Sequence, residues 1–424
     1  MSKTRIVSGI DIGSSKIVTI IGQIGEEGEI SVIGVSSVPS NGIKKGVVVD
    51  IDRAVETISE SLNAAERMAG CTIPSVFITL DGTHVSSVNS PGVVAVSTPD
   101  SGITANDVNR VIEAARAISI PSSREIIHVI PRSYRVDSQE GVQDPVGMSG
   151  IRLQVETHII SGAATSMRNL VKCVQQVGLD VEDVVFTGLA SSESVLTETE
   201  KELGVVLVDI GGGTTSLVIF NEGSPIYSAV LPIGGKNLTN DIAIGLRISL
   251  ENAEKVKTFL SSYHEPALPT KNSQDKKKHL EPEEIDISSL NISKLQSVNK
   301  EFLVKGIIKP RLEEILELVR AELKKGGHEG DLPSGAVVCG GGASTIELEC
   351  VAKRSLRSPV RIGSPQGVSG LIEEISTPAY SAAIGMLIFA STRLPQPRIP
   401  FASRLGKLKS SAQKVFKWGK SFLP

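Results

Sequence analysis

The feature of this sequence that most narrows its possible folds is an internal repeat. Residues 6–35 and 205–230 pass through the same events: an apolar strand, an Asp-Ile-Gly turn, a second β-rich strand, a polar glycine turn and a third strand. The pieces are 6–10, 11–15, 16–21, 25–28 and 29–35 in the first copy, and 205–208, 209–215, 216–220, 221–225 and 226–230 in the second. β-branched runs bounded by Gly and polar residues signal strands. Two such meanders half a chain apart predict two related lobes, and 424 residues exceed what one ordinary core holds.

Helical spacing follows each meander. Residues 52–69 carry Val55, Ile58 and Leu62 one turn apart, and 164–177, 236–244 and 250–260 read likewise. Strands alternating with helices give the α/β class. Residues 261–291 contain Pro266, Pro269, Pro282 and a Lys276–Lys278 run, and are expected to form a solvated loop or insertion. A strong helical pattern resumes over 302–323, with Pro310 expected to kink or restart it.

Composition removes several functions. Aromatics are only 3% of residues and the formal net charge is -3, so neither a base-stacking platform nor a broad polyanion surface is expected, and no nucleic-acid partner. Cys71, Cys173, Cys339 and Cys350 lack the paired spacing of a zinc site or a disulfide framework, which fits a reduced cytoplasmic setting. The six histidines are scattered. The most apolar late run, 382–390, is far shorter than the ~20 residues of a membrane span.

The glycine turns carry the chemistry. A phosphate tail needs backbone N–H groups brought close together, and glycine permits the approach. Asp209-Ile-Gly211-Gly212-Gly213-Thr214-Thr215 and Asp11-Ile-Gly13-Ser14-Ser15 each end a buried strand with a carboxylate, glycines and hydroxyls. Asp11 and Asp209 are expected to orient a hydrated Mg²⁺, with the hydroxyls and amides on phosphate oxygens. A third strand ends in Gly340-Gly341-Gly342-Ala343, placed to approach an adenosine, with Ser344 and Thr345 as helix caps. Glu254 and Lys257 lie one helical turn apart; they serve the ribose and adenine or form a routine surface ion pair. A P-loop, a dinucleotide fingerprint and a nucleophile elbow are all missing from the sequence.

With these motifs the chain resembles the actin, chaperone and sugar-kinase superfamily: residues 11–16, with Lys16, look like its first phosphate loop, 209–215 like its second and 340–343 like its adenosine motif. Within it the chain resembles the FtsA family, through 144–153 running on to 158–160, 232–241, and 307–311 with 313–319. The resemblance implies a bilobed actin-like (ribonuclease-H-like) fold that binds ATP and Mg²⁺. It implies lobe 1 from 1–82, 162–202 and 359–394, an inserted FtsA-type domain at 83–161, and lobe 2 at 203–358, with 261–300 matching the family poorly. The inserted domain's helix is expected to start near Thr104, which has capping-box spacing to Asp107. A member of this family tethers FtsZ to the cytoplasmic face of the cell membrane at the division site, self-associates into actin-like filaments and engages later division proteins. Thr187 stands where the family commonly has a carboxylate, so slow ATPase activity at most is expected, and no catalytic residue is assigned. A superfamily phosphotransferase or ATPase, or a pilus-assembly scaffold of related fold, is the alternative.

Residues 395–400, with three prolines, read as a stiff linker. In 401–424, helical spacing puts Leu405, Leu408, Ala412, Val415, Phe416, Phe422 and Leu423 on one face and Lys407, Lys409, Lys414, Lys417 and Lys420 on the other, with Trp418 at the border. Such a helix lies on an anionic membrane or packs on protein. Five lysines and no acids favour the membrane.

Overall fold

A computed structural model describes residues 5–97, 102–262, 284–292, 295–328, 330 and 332–393. Both repeats fold as antiparallel meanders. Arg5–Ile12 pairs with Lys16–Ile24, which pairs with Ile30–Pro39; Val205–Ile210 pairs with Thr215–Asn221, which pairs with Ser224–Leu231. Parallel strands then add to the far side of each first strand, Ser75–Leu80 and Asp180–Phe186 in lobe 1, Ala336–Cys339 and Val360–Ile362 in lobe 2. Ser369–Gly370 returns to pair with Ile30–Pro39, closing a six-stranded sheet beside a five-stranded one.

Strand alternation decides which core each side chain joins. Along Val205–Ile210, Val206, Val208 and Ile210 bury against the lobe 2 helices, whereas Val205 and Leu207 join the lobe 1 core. The helix Thr187–Val195 lies between, contributing Leu189 and Val195 to that shared core. The two lobes therefore share continuous apolar packing. On the outer face of lobe 1, Ile51–Ala69 starts at Asp50, whose side chain accepts from the Arg53 N–H, and stops at Gly70 in the left-handed region. It buries Ala54, Ile58, Leu62 and Ala65.

The segment between Ser75–Leu80 and Asp180–Phe186 forms its own four-stranded sheet, in the order Ser86–Ala95, Arg152–Ala163, Arg124–Val136, Gln139–Val142. Its helix Ala105–Arg116 begins with a complete capping box between Thr104 and Asp107. The Thr104 and Ser97 hydroxyls bonded to Asp107 hold that carboxyl well below the usual range. Although inserted in lobe 1, this sheet docks on the edge strand of lobe 2. Ser87 Oγ accepts from the Ser228 N–H and donates to the Ser228 carbonyl, both at 2.9 Å, and Asn89 Nδ2 donates to the Ile226 carbonyl at 3.1 Å. These side chains satisfy part of an otherwise open sheet edge. Buried His158 sits 2.7 Å from Asn89 Oδ1 and 3.0 Å from Ser228 Oγ; burial pushes it down to about 3, so it remains neutral.

Two expectations change and a third is given its detail. Residues 261–291 are not all solvated loop: Glu284–Asp286 pairs with Ser297–Asn299, burying Ile285, Ile287, Ile292 and Val298 in the lobe 2 core. The alternation of Ile285 and Ile287 carried that signal, masked by the polar residues around it. Ser344 and Thr345 do not cap a helix; Gly341–Ser344 is a 3₁₀ turn and the next helix, Leu348–Leu356, starts after Glu347. The 302–323 pattern is two windings, a π-helix at Glu301–Ile308 and an α-helix at Lys309–Lys325. Pro310 is the second residue of the α-winding, so the helix restarts at the proline, directly after the π-helical stretch. The linker 395–400 and the tail residues Leu405, Lys407, Leu408, Lys414, Val415, Phe416, Lys417, Trp418 and Phe422 lie outside the described residues. No described helix is long and apolar enough to cross a membrane.

The run 382–390 is buried as the helix Ser381–Arg393, which crosses Thr187–Val195 so closely that a Cβ on Gly385 would overlap the Ala190 carbonyl oxygen. Gly385→Ala is expected to destabilise the chain by about 2–3 kcal/mol through overpacking, read as a lowered urea midpoint. An unchanged midpoint would show that the two helices separate freely.

Candidate functional site

The two repeats bring their Asp-Ile-Gly turns face to face across a cleft of about 980 Å³ between the lobes. Asp11 and Asp209 occupy matching places near the ends of the first strand of each meander, on opposite walls. Asp209 is buried and Asp11 half-buried. Each is held by a hydroxyl of lobe 1: Thr79 Oγ1 donates to Asp11 Oδ1 at 2.7 Å, and Ser191 Oγ donates to Asp209 Oδ2 at 2.5 Å.

The electrostatics are those of a site with surplus negative charge. Burial pushes Asp209 up to about 7, the Ser191 hydrogen bond pulls against this, and the charges of Asp11 and Asp81 add to the rise. Burial also raises Asp11, against its bond to Thr79 and the charge of Lys16. Lys16 lies between the two carboxylates in charge, lowered by burial and raised by both. Its ammonium rests 3.7 Å from the centre of the Tyr380 ring, a cation–π contact that fixes it at the cleft wall.

The third turn closes the cleft. Gly340 adopts φ 80°, and a Cβ there would strike Asp209 Oδ1, so this strand end reaches the carboxylate only as glycine. Gly341 and Gly342 line the cleft. Glu254 and Lys257 are not a routine surface pair. Lys257 Nζ donates to Glu254 Oε2 at 2.7 Å and to Thr239 Oγ1 at 2.9 Å, and Thr239 Oγ1 donates to Glu254 Oε2 at 2.5 Å, a network that lines the far end.

Of the residues singled out in sequence, Asp11, Gly13, Ser14, Ser15, Lys16, Asp209, Gly211, Gly212, Thr214, Glu254, Lys257, Gly340, Gly341 and Gly342 line this cleft. Three do not. Thr215 is fully buried and gives its hydroxyl proton to the Ile233 carbonyl at 2.8 Å. Ala343 packs in the lobe 2 core. Gly213 sits behind the loop, where a Cβ would press on Ser14. Alternation along the strand starting at Thr215 turns that side chain inward, a fact that the motif alone does not carry.

Four contributors escaped sequence reasoning. Asp81 ends the Ser75–Leu80 strand and lines the cleft; Thr79 and Ser191 hold the carboxylates; Lys236 Nζ donates to the Ser14 carbonyl at 2.6 Å, joining the lobes. Thr79, Asp81 and Ser191 lie outside the three Gly-rich turns that the motifs mark. The Gly-Gly-Lys at 234–236 was the one available signal, since the amides of Gly235 and Lys236 donate to the Gly211 and Gly212 carbonyls at 2.9 and 2.8 Å.

Two meander-based lobes around such a cleft, with a small domain inserted in the first, define a protein of the actin-like class. Solved structures agree in fold: the chain is similar to a PilM–PilN type IV pilus biogenesis complex chain (TM-score 0.62, 17% identity, covering 91% of this chain and 98% of that one). It is also similar to MreB5 of Spiroplasma citri bound to ADP (TM-score 0.51, 16% identity, 92% and 97%). The profile described as "SHS2 domain inserted in FTSA" matches residues 82–161, and that of "Cell division protein FtsA" matches 206–385. A "Cell division protein FtsA" of Pseudomonas aeruginosa is 39% identical over 385 residues, spanning 91% of this chain and 89% of the relative. The chain belongs to the FtsA family of cell division proteins.

The raised Asp209 has a consequence for stability. Its folded value of about 7 exceeds the ordinary 3.8, so between these the folded state holds more protons than the unfolded one, and ligand-free stability falls as pH rises through that window. Asp209→Asn removes the ionisation and keeps an acceptor for Ser191. Its melting temperature is expected to gain on the parent's between about pH 4 and pH 7; a constant difference would mean that Asp209 titrates as an ordinary carboxylate.

Proposed function

We propose that this chain binds Mg·ATP in the cleft and tethers FtsZ to the inner face of the cytoplasmic membrane at the division site, where it self-associates into filaments and engages later division proteins. The observation that carries the nucleotide reading is the convergence of both Asp-Ile-Gly turns, the Gly340–Gly342 turn and the Glu254–Lys257 network on one cleft. Lobe boundaries near 83 and 161, and near 203 and 358, accompany this reading.

The donor set suits a hydrated Mg²⁺. Asp11 and Asp209 carry negative charge that burial makes costly and that Lys16 offsets in part, and a divalent cation held through water would relieve it. When bound, the ion would neutralise phosphate charge. The chain's own parts would do the rest. The Gly212 and Gly213 amides of the second turn and the Ser14 and Ser15 hydroxyls would hold the phosphates, since the Gly13 and Gly211 amides donate to the Lys16 and Thr214 carbonyls; Gly340–Gly342 would admit the adenosine against the backbone; Glu254 and Lys257 would take the ribose and base.

Thr187 lines the cleft at the start of its helix, and its hydroxyl donates to the Leu80 carbonyl at 3.2 Å. It offers no carboxylate to orient an attacking water, which supports a nucleotide-gated tether rather than a fast enzyme. Turnover by the parent is expected not to exceed that of Thr187→Glu in a phosphate-release assay; a faster parent would place the water-orienting group elsewhere.

Membrane attachment rests on the basic amphipathic pattern of 401–424, with Leu405, Leu408, Val415, Phe416 and Phe422 toward the acyl boundary and Lys407, Lys414 and Lys417 toward anionic headgroups. The full chain is expected to co-sediment with anionic vesicles, less so at high salt, while a chain ending at Pro400 stays soluble. Equal behaviour of the two would make the tail a packing helix and favour a pilus-type scaffold role.

A further inference from the structure

Asp81 is a third carboxylate at the cleft, from a strand belonging to neither repeat. It crosses to the other lobe: Thr214 Oγ1 donates to Asp81 Oδ2 at 2.6 Å, and Ser216 Oγ donates to Asp81 Oδ1 at 2.8 Å. The Gly82 N–H donates to the same Oδ1 at 2.8 Å and fixes the carboxylate's rotation. Thr214 and Ser216 are buried, at 4% and 1% exposure, so these bonds are shielded from water and are charge-assisted.

A hydroxyl has one proton to give. With Thr214 and Ser216 committed to Asp81 and Thr215 to Ile233, all three consecutive hydroxyls of the second turn have spent their donors on protein acceptors. The first turn differs, because Ser14 Oγ accepts from the Gly46 N–H at 2.9 Å and keeps its own proton available. The second turn thus offers phosphates the amides beyond Gly211, whose N–H donates to the Thr214 carbonyl, while Thr214, a lining residue of the cleft with its hydroxyl proton given to Asp81, keeps only acceptor capacity at Oγ1.

We infer that Asp81 is a positioning residue of the nucleotide site: by taking the Thr214 and Ser216 protons it ties the second phosphate turn to lobe 1 and presents Thr214 as an acceptor for cation-bound water rather than a phosphate donor. The inference rests on the reading of the cleft as a Mg·ATP site. Asp81 acts through Thr214 and Ser216, to which both of its oxygens are bonded. Sequence spacing gives no hint of it, since Asp81 and Thr214 are 133 residues apart and meet only when the lobes close on one another.

The test compares the full chain with Asp81→Ala, Asp81→Asn, Thr214→Val and the Asp81→Ala/Thr214→Val double variant. Affinity for ATP is titrated calorimetrically with Mg²⁺ and with EDTA, and amide exchange of residues 211–214 is followed without nucleotide. Asp81→Ala and Thr214→Val are each expected to weaken Mg·ATP by about tenfold or more, with a smaller loss in EDTA. The double variant should be no weaker than either single one, because both remove the same bond. Asp81→Asn has one acceptor oxygen where the carboxylate has two; with that oxygen on the Ser216 hydroxyl and the Gly82 N–H it no longer accepts from Thr214, so it should bind about as weakly as Asp81→Ala. Exchange at 211–214 should quicken in Asp81→Ala. Losses that add, an Asp81→Asn as tight as the parent, equal losses with and without Mg²⁺, or unchanged exchange would each overturn the assignment. If Asp81→Ala does not fold, Thr214→Val and Asp81→Asn decide by the same criteria. A parent that binds no ATP sinks the nucleotide reading, and the exchange measurement still judges the tie itself.

Discussion

Two carboxylates held at the ends of equivalent strands, Asp11 and Asp209, set the terms for the rest of this molecule. Each sits at the mouth of a β-meander, and burial makes the charge of both expensive. The protein meets that cost with hydroxyls from a single lobe: Thr79 for Asp11 and Ser191 for Asp209. Because Ser191 belongs to lobe 1 and Asp209 to lobe 2, the bond that steadies the second carboxylate also joins the lobes. Lys236 to Ser14 and Asp81 to Thr214 repeat the pattern, and these three bonds lie within or behind the cleft wall.

This arrangement explains why the cleft keeps a defined width although it lies between two sheets. Beneath the polar bonds, Val205, Leu207, Val218 and Phe220 of lobe 2 pack with Leu189 and Val195 of the wedge helix and with the lobe 1 core. Apolar packing gives the lobes a common floor, and the polar contacts set the registration of the two turns above it. A second bridge runs through the inserted domain, where Ser87, Asn89 and His158 occupy the exposed edge of the Ser224–Leu231 strand. His158 stays neutral there, so this bridge does not titrate in the physiological range.

The glycine turns were readable because close approach leaves few residue choices. Asp-Ile-Gly appears twice for the same steric reason, and Gly340 is forced by the nearby Asp209 carboxylate. The groups that serve those turns were not readable. Thr79, Asp81 and Ser191 are common residues in unremarkable local sequence, and their roles come from distances closed by the fold. The short Glu284–Asp286 strand was hidden for a related reason, since its partner and its buried face are defined only by the lobe 2 helices.

By itself the sequence determined the two-lobe α/β plan and the three turns that converge on the cleft, because local sterics and strand periodicity act over a few residues and leave their mark in order along the chain; the inserted domain and the family were legible through the resemblance of longer segments. Only the tertiary structure decided which hydroxyls face the cleft and which are spent elsewhere. Thr214 and Thr215 are neighbours of one chemistry, yet one reaches Asp81 across the lobes and the other bonds the Ile233 carbonyl inside its own. A hydroxyl's single proton goes to whichever acceptor the fold brings near, and that acceptor is set by packing between segments more than a hundred residues apart in one case and eighteen in the other.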